Sequence, residues 1–422
     1  MTDTTGSAAS LPDIRVPALL TFAGLVAGLA AGLLARSSEI LPAALSVTAP
    51  VGDLWLRALE MTILPLVAGL LFTGIIETAG AARGGVMARR TLGLFFSILV
   101  AGAILSALAM PALLQAIPVP QEAGGALGVA ADPGEMPGLG DFLASFVPDN
   151  VFAAAADGAV LPVIVFVALF ALASMRLDDG PRILLARIFR ALAHAMMVIV
   201  GWVLALAPVG VFALAFGVAA RTGSSVIGAL GHYIALVSAM GVVILLAAYV
   251  LAIVGGRKSP TGFARAVLPA QAVALSTQSS LASLPAMLAS CRRLQVRDES
   301  AEFVLPLAVA LFRATSPAMN LAVVIYAAAL TGVELTPGII LAGVVVASIT
   351  TLGSVSLPGT VSFVASTGPI ALAMGVPVEP LALLVAVEML PDIVRTVANV
   401  TMDVSVTTVA DRQSAGKSAA TS

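Results

Sequence analysis

Stretches of about 20 mainly apolar residues recur along this chain from end to end, each long enough to cross roughly 30 Å of hydrocarbon as an α-helix. Eight such windows stand out, at 16–34, 54–76, 92–109, 151–175, 193–216, 226–254, 303–330 and 381–409. Of the 422 residues, 59% are hydrophobic and 10% charged, and the mean hydropathy is +1.07. No soluble class has that composition. The chain reads as an all-α polytopic membrane protein. Its first residues, MTDTTGSAASLPDIR, lack the basic start and small-residue cleavage site of a signal peptide, so the first window is expected to remain as a membrane helix. One cysteine, Cys291, leaves no internal disulfide, and a formal charge of −2 gives no case for nucleic acid.

The basic residues set the orientation. With a cytoplasmic N-terminus and eight crossings, 16 of the 21 lysines and arginines fall inside, and only Arg36 and Arg221 outside. Arg57, Arg313 and Arg395 remain within or at the rim of helices. Positive residues collect on the cytoplasmic side of membrane proteins, so both termini are expected there, in the cytoplasmic (inner) membrane. The segment 111–148 is rich in Gly, Pro and acid and holds no basic residue, as an outer loop would. Trp55 fits an interfacial anchor near the outer rim of the second span.

That count holds only if two further apolar stretches do not cross. The first, 263–293, has a polar TQSS cluster at its centre; the second, 339–374, is broken by TTLGSVSLPGTVS. Each reads as a helix, a non-helical tip and a helix returning to the same side. Non-helical backbone is tolerated at membrane depth where protein buries it or it lines a cavity, and interrupted apolar segments point to a transport site. No phosphate-binding GxxxxGK[ST] loop is present, which argues against an ATP-driven pump.

The last window carries EMLPDIVRTVANVTMD. On one helix Glu388, Asp392, Arg395, Asn399 and Asp403 fall within about 80° of arc. Each ionised group at membrane depth costs on the order of 2.5–3.5 kcal/mol on insertion scales. Such a stripe can be an internal ladder, with Arg395 between Glu388, Asp392 and Asn399, that only locks the helix. Alternatively, Arg395 offers its planar fork to a substrate carboxylate while Asp392 accepts from a substrate ammonium. Five polar groups exceed what locking requires, and the two broken stretches supply a cavity, so the second reading leads. Pro391 is expected to remove one hydrogen bond inside this helix and to free a carbonyl near residue 387.

With these residues the chain resembles the dicarboxylate/amino acid:cation symporter family, the glutamate transporter homologues. GDLWLRALEMTILPLV, FVPDNVFAAAADGAVLPVIVF, APVGVFALA, TQSSLASLPA, VLPLAVALF and DIVRTVANVTMD stand in that family's order and spacing. The resemblance implies a homotrimer of elevator type, with eight transmembrane helices and two re-entrant helical hairpins per protomer. It divides the chain into a tail (1–15), scaffold helices one to six (16–258, of which the third and sixth associate with the moving part), a core transport domain (259–410) and a second tail (411–422). It also implies that Arg395 binds a side-chain carboxylate, Asp392 an amino group and Asn399 a main-chain carboxylate. Ser279, Ser280, Thr315, Ser356, Pro358, Gly359 and Thr396 complete the implied substrate site. Asp403 matches an aspartate of a sodium site.

One departure is large. Where the family carries Asn-Met-Asp-Gly-Thr in its seventh helix, this chain has Phe312, Arg313, Ala314, Thr315 and Ser316. Gln278 likewise replaces an arginine or serine common at the first hairpin's tip. Arg313 is expected ten residues into the seventh helix, about 15 Å deep, where snorkelling is hard. Glu388, Asp392 and Asp403 against Arg395 alone would leave −2, and the family's extra aspartate −3; with Arg313 and without that aspartate the sum is −1. Fewer bound sodium ions than in typical relatives are therefore expected, with Arg313, Glu388, Asn399 and Asp403 balancing charge among themselves or with a proton. No organic cofactor is implied, and the coupling ion stays open between Na⁺ and H⁺.

The leading expectation is secondary transport of an acidic amino acid or dicarboxylate. A neutral amino acid, an uncoupled or proton-coupled carrier, and a substrate sensor or anion channel on the same scaffold remain alternatives. An enzyme is not indicated: His194 and His232 are the only histidines, and neither stands near a pattern for a triad or a metal.

Overall fold

Two prolines, Pro317 and Pro391, stand just after helix breaks, although α-helices elsewhere in the chain continue through Pro50, Pro65, Pro111, Pro269, Pro285, Pro306 and Pro369. The computed structural model describes residues 17–82, 85–119, 147–157, 159–223, 225–351 and 359–418. Along the chain run α1 (Ala18–Ala35), α2 (Leu41–Ala82), α3 (Val86–Ala116), α4 (Val151–Ala156), α5 (Val160–Ser174), α6 (Asp179–Ala205), α7 (Ala207–Thr222) and α8 (Ser225–Val250). After a π turn, Leu251–Gly255, follow α9 (Pro260–Thr277), α10 (Ser280–Arg293), α11 (Asp298–Leu311), α12 (Thr315–Thr331), α13 (Pro337–Thr350), α14 (Gly359–Ala373), α15 (Glu379–Leu384) and α16 (Met389–Ser418). No strand occurs among the described residues. Among the described residues five segments, within α2, α3, α6, α8 and α11–α12, are long and apolar enough to cross a membrane. The surface is apolar to match: Leu34 is 81% exposed, Leu108 71% and Trp202 68%, which suits lipid and not water.

Several windows expected as single spans are divided. The seventh, 303–330, is two helices, because Phe312 turns extended (φ −127°, ψ 114°) after α11. Pro317 explains the break: a proline clashes with the carbonyl four residues earlier, here that of Arg313, which instead accepts from Ser316 N–H at 3.0 Å. Arg313 therefore lies in the break and not ten residues into a helix. The last window divides the same way, with α15 ending at Leu384 and α16 starting at Met389. Pro391 occupies the first turn of α16, where no backbone donor is required. The carbonyl of Val387, expected to be free, accepts from Leu390 N–H at 3.0 Å. The fifth window changes helix at Leu206, just before Pro208, and the fourth is split into α4 and α5.

Close backbone packing joins the first part of the chain. Gly24, Gly28 and Gly32 repeat every four residues on α1, and a Cβ on any of them would run into the carbonyl of Pro208, Phe212 or Phe216 on α7. Small residues at this spacing let membrane helices approach to backbone contact. Trp55 of α2 lies over Gly210, where a Cβ would strike the indole. Its Nε1 donates to the Val203 carbonyl at 2.9 Å, and the residue is 6% exposed. Trp55 is thus a buried clamp of α2 on α6 and α7, not an interfacial anchor; its N–H finds a partner inside.

The second half wraps a fully buried helix. Residues of α12 are buried on all sides, as an element apolar all round requires. It packs on α3, α8 and α14, while α16 packs on α8, α9 and α11. Helices α9 and α10 fold against each other across Gln278 and Ser279, Gln278 taking a left-handed conformation (φ 50°). Helices α13 and α14 also pair; the link between them, with Ser356 and Pro358, lies outside the described residues.

Candidate functional site

The two helix breaks, at 312–314 and 385–388, bring the polar residues of α16 against the start of α12. Arg395 is 4% exposed and Glu388 2% exposed. Three acceptors surround the guanidinium: Nη2 donates to Glu388 Oε1 at 2.8 Å, Nη1 to Asn320 Oδ1 at 2.8 Å, and Nε stands 3.4 Å from Asp392 Oδ1. Tyr233 on α8 donates to the other oxygen of Glu388 at 3.0 Å. Arg395 thus sits in a ladder with Glu388 and Asp392, but its third member is Asn320 of α12 and not Asn399. The stripe runs along one helix from Asp392 to Asp403; Glu388 belongs to the turn just before it, tied on by Asp392 N–H to the Glu388 carbonyl at 2.9 Å.

One turn further, Asn399 joins the start of α12. Its Oδ1 accepts from Thr315 N–H at 3.0 Å and from Thr315 Oγ1 at 2.9 Å. Thr315 begins α12, so its N–H is one of the donors a helix start leaves without a partner, and Asn399 supplies the cap from another element. Thr396 turns away, its hydroxyl donating to the Asp392 carbonyl at 2.9 Å.

Below this level lie polar atoms that make no hydrogen bond among the described residues: Asn399 Nδ2, Ser316 Oγ and both carboxylate oxygens of Asp403. Asp403 is 1% exposed. The charge acting on it is that of Arg313, and Arg313 in turn feels Asp392, Arg395 and Asp403. A guanidinium from the helix break therefore faces the carboxylates of α16. Asp403 and Ser316 are the oxygens a hard cation would use, though no cluster of three or more His, Cys, Asp or Glu occurs among the described residues.

The first pair of returning helices stands close by. Ser279 caps α10, accepting from Ala282 N–H at 3.2 Å; Ser279 and Ser280 are half-buried while Gln278 is exposed. No hydrogen bond joins these serines to Asp392, Arg395 or Asn399. The pair is held to α16 lower down, where Gln271 Nε2 donates to Thr401 Oγ1 at 2.9 Å. Gly359 opens α14. His232 bridges Tyr326 Oη at 3.2 Å and the Ile117 carbonyl at 3.1 Å, a packing role between α8, α12 and α3.

Two residues of the cluster were not singled out from the sequence, Tyr233 and Asn320. Each had a signal: Asn320 is a lone amide inside MNLAVVIYAAAL, and the chain has only three tyrosines.

A family model described as the sodium:dicarboxylate symporter family matches residues 18–413. The proton/sodium-glutamate symport protein of Bacillus subtilis (strain 168) is 28% identical over 392 residues, 90% of this chain and 88% of that protein. The proton/glutamate-aspartate symporter of Escherichia coli (strain K12) is 27% identical over 365 residues, 84% of this chain and 82% of that protein. A C4-dicarboxylate transport protein of Rhizobium etli is 25% identical over 351 residues, 80% of this chain and 77% of that protein.

Proposed function

The chain belongs to the sodium:dicarboxylate symporter family, and from that premise we propose that it carries an acidic amino acid or a C4-dicarboxylate across the cytoplasmic membrane with reduced or altered sodium coupling. It is a multi-pass membrane transporter, not an enzyme. The observation that supports the substrate class is a buried arginine, Arg395, whose guanidinium meets Glu388 at 2.8 Å, Asp392 at 3.4 Å and the amide of Asn320: a planar fork held at this depth is suited to a substrate carboxylate that takes over from one of these partners. Asp392 beside it suits a substrate ammonium and favours an amino acid such as glutamate or aspartate, after which two of the relatives are named.

The altered coupling rests on Arg313. It lies in the helix break, its charge already acts on Asp403, and a fixed guanidinium there takes the place of a mobile cation. The finer architecture follows the same reading: eight crossings, two re-entrant hairpins, both termini cytoplasmic, a homotrimer, and an elevator movement of the part built from α9–α16. The biased lysines and arginines support the orientation.

Proteoliposome uptake tests the proposal. Labelled L-glutamate, L-aspartate or succinate should accumulate inside under an imposed ion gradient, with a shallow dependence on sodium. Absence of accumulation overturns the carrier reading, whereas a steep dependence requiring several sodium ions overturns only the altered coupling.

A further inference from the structure

Arg395 is already held by a carboxylate of its own chain. Glu388 Oε1 sits 2.8 Å from Nη2, at the end of the guanidinium to which a substrate carboxylate would bind as a fork. Asp392 approaches only the Nε edge, at 3.4 Å. Glu388 is fixed by its second oxygen, which accepts from Tyr233 at 3.0 Å, and Tyr233 is fully buried. A substrate carboxylate would be the third on a guanidinium that already meets Glu388 and Asp392, and in so dry a place the one holding the forked end must lose its charge or leave.

We propose that Glu388 is a proton-binding residue that holds Arg395 until substrate arrives and yields it on taking a proton, so that substrate binding and proton uptake are one event. The inference rests on the carrier reading above and names the regulation of that site. The exchange balances: a proton from the aqueous side forms an O–H bond on the Glu388 carboxylate, the Arg395 to Glu388 ion pair breaks, and Arg395 turns its N–H groups to the substrate carboxylate. No electrons are transferred. An acidic amino acid of charge −1 enters with one proton, so the site's net charge does not change.

The charged and titratable groups around Glu388 among the described residues are few. Tyr233 faces it from α8, with Tyr326 of α12 behind, ring centroids 5.4 Å apart. Arg395 and Asp392 face it from α16, and Arg313 acts on Asp392. Asn320 holds the opposite end of the guanidinium, so Arg395 keeps one partner when Glu388 lets go.

The test is calorimetric titration of L-aspartate and of succinate into the full-length protein in lipid nanodiscs, from pH 6 to 9, in buffers of different ionisation enthalpy. Wild type should take up about one proton per L-aspartate bound, and its affinity should fall by up to about tenfold per pH unit on the alkaline side. Glu388→Gln should take up none and bind with an affinity that does not vary with pH. Tyr233→Phe should still take up the proton but over a shifted pH range, because the carboxylate loses a donor. Proton uptake persisting in Glu388→Gln, or no proton uptake in wild type, overturns the inference and leaves the carrier reading standing. An unshifted profile in Tyr233→Phe overturns it even where Glu388→Gln does not fold. Failure of wild type to bind either probe at any pH sinks the carrier reading, and this inference with it.

Discussion

Thr315 gives both its backbone N–H and its hydroxyl to a single oxygen, Oδ1 of Asn399, at 3.0 and 2.9 Å. One side chain on α16 thereby fixes where α12 begins. The two substitutions that break this junction should differ. Asn399→Ala leaves a buried N–H without a partner, at about 1–3 kcal/mol, whereas Thr315→Val removes one hydrogen bond of two, at about 0.5–1.5 kcal/mol. Thermal unfolding in detergent should rank Asn399→Ala as the more damaging, and equal effects would mean that the hydroxyl carries the junction alone.

Arg313 lies among carboxylates of α16. Exchanging it for methionine, of similar length and no charge, uncovers Asp403 and moves the formal sum over the five charged groups from −1 to −2. Transport by Arg313→Met should become more dependent on sodium or be abolished. Uptake unchanged in rate and in sodium dependence would show that Arg313 balances nothing that matters to the cycle.

Arg395→Lys keeps the charge but loses the planar fork. A lysine cannot stay on Asn320 and also offer a substrate carboxylate two fixed parallel donors, so affinity for L-aspartate should drop by about tenfold or more, on the order of 1.4 kcal/mol. Binding titrations decide it; wild-type affinity in the lysine variant would show that only charge is read.

The glycines of α1 offer a stability test. Gly28→Ala drives a methyl group into the Phe212 carbonyl, and overpacking of this kind costs about 1–3 kcal/mol. Gly93 on α3 has nothing within 4 Å of a would-be Cβ, so Gly93→Ala should be neutral or stabilising by up to about 1 kcal/mol through helix propensity. Opposite shifts in unfolding temperature are the expected result, and parallel shifts would count against the close α1–α7 packing.

Membrane class and the polar stripe were legible because both depend on residue type at fixed spacing. Hydropathy sums over a window and is blind to the backbone, so it joined α11 to α12 and α15 to α16. Pro317 and Pro391 carried part of the missing information, since each removes a helical hydrogen bond to the residue four places before it, but helices here also run through Pro50, Pro65 and Pro111, so a proline alone does not mark a break. Tyr233 and Asn320 were hidden for a different reason. They lie 155 residues from Glu388 and 75 from Arg395, in apolar helices whose pattern gives no clue to which neighbour they face. Trp55 misled because an indole beside the membrane rim and an indole clamping a glycine read alike in sequence.

The glycine contacts of α1 leave one problem for the molecule to solve. Three equal notches spaced by four residues fit almost as well after a slip of one helical turn, since two of the three would still engage. Their spacing cannot tell α1 where to stop. Arg36, at the far end of α1, lies over Gly223 at the end of α7, and a shift along the axis would pull it off that seat. An arginine at the rim thus acts as an end stop, selecting one register from several that the notches alone would accept.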